Sequence, residues 1–110
     1  MTDEHIENTK AAIESARNIP VDKKAELLDL LSKLKAAIGK VSQTHHDDAQ
    51  SIARLVEASA RETIRAEKKP EPIKRLSHEL KRSVEKFEAS HPQLVAFVTE
   101  YTGFLSAMGI

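Results

Sequence analysis

From Leu27 the apolar positions advance by four, three, four and three residues, through Leu31, Leu34 and Ile38 to Val41. That cadence keeps one side of an α-helix apolar along its whole length, and Leu28 and Leu30 widen the stripe to the width of a bundle face. Ala49, Ile52, Ala53, Val56, Ala60, Thr63 and Ile64 continue it with smaller residues, and no glycine or proline falls between Lys40 and Lys69. The pattern reads as one long, bent helix over 22–67, capped by Asp22. The alternative is a break near 44–47, where Thr44 and Asp47 form a capping pair. A continuous helix would be about 69 Å long at 1.5 Å per residue, which implies an extended shape or a partner.

Shorter helices flank this one. The first spans 3–17, with Thr2 or Asp3 as cap and a thin apolar face of Ile6, Ile13 and Ala16. With so little to bury it is expected to fray. Pro20 ends it by pushing Ile19 out of helical geometry. The pair Pro70 and Pro72 makes the next break. Ile73, Leu76, Leu80, Val84 and Phe87 then mark a helix over 72–89. Ser90, His91 and Pro92 form a structural turn, with Ser90 as cap. The last helix runs over 92–108 and Gly109 closes it.

Composition narrows the class. The chain has 110 residues, enough for a single helical domain over 1–110, and only three glycines and four prolines, too few for an all-β protein. The fold expected is all-α: an elongated antiparallel helical hairpin or bundle, coiled-coil-like, with a long central helix. Seventeen basic side chains balance seventeen acidic ones, so no strongly basic nucleic-acid binder is in view. The chain has no cysteine, which removes disulfides, thiol catalysis and thiolate metal sites. The acidic, polar start MTDEHIENTK does not read as a secretory leader, and Glu100 interrupts the stretch from Pro92 to Ile110 that comes nearest to a membrane span. A cytoplasmic location is expected.

Candidate chemistry is sparse. In His45-His46-Asp47-Asp48, successive side chains diverge by about 100° on a helix, so the four cannot converge on one ion, and neither a metal nor another cofactor is expected. His91 has Glu88 and Ser90 beside it, but no nucleophile elbow or oxyanion motif accompanies them, so no catalytic residue is assigned and the protein is not expected to be an enzyme. Between 54 and 86 ten basic residues meet six acidic ones, a local excess of four centred on the turn at Pro70. No exposed aromatic interleaves them, so a solvated face is the better reading and nucleic acid is not the expected partner. The last helix holds three of the four aromatics, with Glu100 as its sole formal charge. Phe97, Tyr101, Phe104, Leu105 and Met108 are the candidates for an interaction surface there.

Several stretches also look familiar together: Gln50-Ser51-Ile52-Ala53-Arg54, the run from Ser59 to Lys68, Phe87-Glu88-Ala89-Ser90-His91-Pro92-Gln93-Leu94, and the closing Met108-Gly109-Ile110. With these the chain resembles a family of short bacterial helical proteins known only as a domain of unknown function. The phenylalanine-glutamate-x-serine-histidine-proline-x-leucine run is the most specific piece, and the N-terminal third is matched by pattern alone. The resemblance implies a helical fold and carries no activity or catalytic residue with it. The function expected is a non-enzymatic protein-interaction or structural module acting as a homo-oligomer. The alternative is a nucleic-acid-associated accessory protein using the basic turn near Pro70.

Overall fold

A computed structural model describes residues 2–65 and 69–109, and among these it contains five α-helices and no strand. They are α1 (Thr2–Ser15), α2 (Val21–Ser42), α3 (His46–Thr63), α4 (Pro70–Val84) and α5 (Pro92–Gly109), with a short 3-10 turn at Glu85–Phe87. Lys68 of the basic turn and Ile110 lie outside the described residues.

The long helix expected over 22–67 is two helices. His45, at φ −134° and ψ 64°, leaves helical geometry, and the chain reverses so that α3 packs against α2. No strong helix breaker is needed. Both segments carry a full apolar stripe, and folding one on the other buries both, which a straight rod cannot do. The elongated shape is overturned with it. The molecule measures 37 × 24 × 20 Å with a radius of gyration of 12.9 Å, close to the roughly 13 Å of a compact chain this long.

α3 is the hub. It touches each of the other four helices, while α1 meets only α2 and α3. Small residues make this possible: Ala49, Ala53, Ser59, Ala60 and Thr63 are buried, so neighbouring backbones come close on several sides. Leu27, Leu31, Leu34, Ile38 and Val41 join the same core from α2, and Ile73, Leu80, Val84 and Phe87 from α4 and its 3-10 turn. The thin face of α1 is fully used, with Ile6, Thr9 and Ile13 all buried.

The helix ends differ from the local caps expected. α2 starts at Val21 behind Pro20, whose carbonyl accepts from the Lys24 amide at 2.8 Å, and no side chain caps it; Asp22 sits in its first turn. Nor does Thr44 cap α3, because its hydroxyl lies 2.8 Å from His45 Nδ1. Proline geometry and tertiary partners take over instead. Lys24 Nζ donates to the Glu14 and Ala16 carbonyls at the end of α1, and Asn18 Nδ2 donates to the Ile64 and Arg65 carbonyls at the end of α3. α4 begins at Pro70 rather than 72 and stops at Val84 rather than 89, where the 3-10 turn tightens the chain toward Phe87. Gly109 is still helical.

Candidate interaction surface

α2 and α5 lie side by side and run in opposite directions, and the seam between them is one place where apolar surface remains partly open. Glu26, Asp29, Leu30 and Lys33 of α2 share a recess of about 440 Å³ with Glu100 and Phe104 of α5. Ala37 and Lys40 share a second, of about 290 Å³, with the stretch from Ser90 to Leu94. Between them Lys33 Nζ stands 6.0 Å from the centre of the Phe97 ring. Residues 26, 29, 33 and 40 recur every three, four and seven positions, so they form one stripe on α2.

The five aromatic and aliphatic candidates on α5 divide sharply. Tyr101 and Leu105 are 0% exposed and belong to the core, so they offer nothing to a partner without unfolding. Phe97, Phe104 and Met108 are partly buried against that core and keep an open edge. Leu94, Val98, Tyr101 and Leu105 make the inward stripe, while the solvent side of α5 carries Gln93, Thr99 and Glu100 among the small Ala96, Gly103 and Ala107.

Tyr101 helps to fix the rotation of α5. Its hydroxyl donates to the Val56 carbonyl of α3 at 2.9 Å and accepts from Ser59 Oγ, also 2.9 Å away. With each hydroxyl supplying one proton, this chain satisfies both buried groups. Burial raises the phenol's pKa far above its ordinary range despite the serine.

The sequence features with metal or catalytic potential fall elsewhere. Phe87 is buried, with His45 and His91 edge-on to it at 5.2 and 5.8 Å between ring centres. The His91 amide donates to the Phe87 carbonyl at 2.7 Å, and Pro92 then starts α5. The turn of Ser90, His91 and Pro92 is thus a corner anchored by Phe87 before it and Leu94 after it. His46 Nδ1 lies 3.4 Å from Ser42 Oγ, and Asp48 accepts from Lys86 Nζ at 2.7 Å. Among the described residues no three histidine or acidic side chains come together as a metal site, and no helix is long and apolar enough to cross a membrane.

The basic stretch is split up by the fold. Arg61, Arg65 and Lys86 pair with Glu57, Glu62 and Asp48. Lys74, Arg75, Lys81 and Arg82 are exposed on α4, with Glu71 and Glu79 on the same helix. A polar triad ties α1 to α3: Glu57 takes His5 Nδ1 at 2.7 Å on one oxygen and Arg61 at 3.1 Å on the other. Partial burial alone would raise the Glu57 pKa, but the hydrogen bonds from His5 and Arg61 outweigh it and hold the carboxyl below its ordinary range.

The chain belongs to the family described as Domain of unknown function (DUF4404), whose model matches residues 27–110. That match begins within α2 and includes the whole α2–α5 seam except Glu26. No curated protein and no solved structure matches the chain.

Proposed function

We propose that this member of the family is a non-enzymatic protein-interaction module that acts by associating with itself through the α2–α5 seam. The observation that supports the reading is the state of Phe97 and Phe104, mostly covered but still open at one edge, in a molecule whose other phenylalanine is buried. Completing the burial of two such rings per subunit contributes to association, each by less than the roughly 2 kcal/mol of a ring taken wholly out of water. Exposed Ala96 and Gly103 beside them let a second backbone approach closely.

Light scattering on the full chain tests it. A dimer or larger assembly is expected at micromolar concentration, shifting toward monomer in the double variant Phe97→Ser, Phe104→Ser. Ala96→Arg keeps the test sound, because Ala96 is exposed and its replacement blocks the seam without touching the core. A wild-type chain that stays monomeric at high micromolar concentration removes the proposal.

The nucleic-acid alternative rests on the basic turn near Pro70, of which Lys69 just before α4 and Lys74 and Arg75 on that helix are exposed. Lys74, Arg75, Lys81 and Arg82 share that helix with Glu71 and Glu79 and with no aromatic side chain, a poor surface for stacking bases. The expected outcome is no measurable DNA or RNA binding at low salt.

A further inference from the structure

The charges along the seam are not evenly spread. At the end formed by the first half of α2 and the second half of α5 stand Glu26, Asp29 and Glu100. At the other end stand Lys40 and His91, beside the first turn of α5, whose free amides add a positive potential. Asp29 is paired to Lys33 at 3.4 Å. Glu26 and Glu100 at one end and Lys40 at the other have no ion-pair partner among the described residues. Uncommitted charge of opposite sign therefore sits at opposite ends of one groove.

Lys33 lies midway on α2, seven residues from Glu26 and seven from Lys40. At 1.5 Å per residue each charge is about 10 Å from it. On α5 the matching midpoint is Phe97, over whose ring Lys33 already stands. A two-fold axis through this point exchanges the two ends of the groove. It sets Glu26 of one copy against Lys40 of the other, twice, and brings Glu100 toward the positive start of the other copy's α5. At the axis the two Phe97 rings meet, flanked by the two Lys33 side chains, each paired to its own Asp29.

We infer that the partner of the seam is a second copy of this chain, packed antiparallel about a two-fold axis at Lys33 and Phe97, with Glu26 and Lys40 pairing reciprocally across the interface. This rests on the self-association reading and adds its geometry. A parallel pairing brings the acidic ends together and is disfavoured by like-charge repulsion. A head-to-tail contact, with the acidic end of the groove against the basic outer face of α4 in a neighbour, does not close and builds chains rather than dimers.

A charge exchange separates these cases. Sedimentation velocity over a concentration series compares wild type, Glu26→Lys, Lys40→Glu and the double exchange. Both positions are exposed, so circular dichroism stays level across the set. Each single change turns two attractive pairs into two repulsive ones and weakens the dimer roughly tenfold. The double variant recovers wild-type affinity to within about threefold, because the pairs are restored with their signs reversed. Dimers equally strong in all four proteins, or a double variant weaker than either single one, overturn the arrangement. If Phe97→Ser, Phe104→Ser still releases monomer in that event, the seam stands as the interface and only its geometry falls. Assemblies that keep growing with concentration overturn the two-fold axis, and a monomeric wild type overturns arrangement and interface together.

Discussion

Tyr101 donates its hydroxyl proton to the main-chain carbonyl of Val56, 2.9 Å away across the α3–α5 contact, in a site that water does not reach. With the burial of Leu94, Val98 and Leu105, this bond turns one stripe of α5 inward and leaves the other toward the seam. In Tyr101→Phe the Val56 carbonyl keeps Ser59 Oγ within 3.0 Å as a substitute donor. The expected loss is accordingly about 1 kcal/mol, the net value of one buried hydrogen bond. Urea unfolding checks it, and a loss above 3 kcal/mol argues that the ring itself has moved.

Glu57 gives a pH signature. Its folded pKa lies below the ordinary 4.5, so it binds a proton less readily in the folded than in the unfolded chain. The stabilisation is fully present above 4.5 and drains away as the pH falls through the folded value. Glu57→Gln is expected to cost at most about 1 kcal/mol at pH 7. The gap between variant and wild type then closes in the acid range below the folded pKa. Thermal melts at pH 7, 5 and 3 measure the convergence, and a gap that widens in acid contradicts the assignment.

Ser77 stabilises nothing by hydrogen bonding. Its hydroxyl is buried on the inner face of α4 with no partner among the described residues. Ser77→Ala removes an unsatisfied group and adds helix propensity, so a gain of about 1 kcal/mol is expected. A variant less stable than wild type points to a buried water on Ser77 Oγ.

Gly39 lies inside α2, and a Cβ built there meets nothing within 4 Å. Gly39→Ala is expected to raise stability by roughly 0.5–1 kcal/mol through the lower chain entropy of the unfolded state. Equilibrium denaturation measures this directly, with no change in slope if the native state is unaltered.

The apolar cadence made the core legible residue by residue. Each of Leu27, Leu31, Leu34, Ile38 and Val41 is buried, and on α4 the same holds for Ile73, Leu80 and Val84. The reversal at His45 was legible only as the alternative, a break near 44–47, because its cause is the gain from stacking two stripes and not a strong breaker in the chain. The caps misled for a related reason: the ends of α1 and α3 are satisfied by side chains outside those helices, Lys24 from the next helix and Asn18 from 46 residues away. On α5 the sequence singled out the right helix, but its candidates joined the buried Tyr101 and Leu105 to the partly open Phe97, Phe104 and Met108. The division between them depends in part on the Tyr101 bond to α3, and the opposite charges of the seam's ends emerge only from the antiparallel register of α2 and α5.

The position of α3 at the hub also orders events in time. The most extensive packing of α1 is against α3, yet α2 lies between them in the chain. As the protein is synthesised, α1 leaves the ribosome with Ile6 and Ile13 uncovered and waits for the whole of α2 and then α3 to follow. α1 can therefore complete its packing against α3 only after α2 and α3 have both been made.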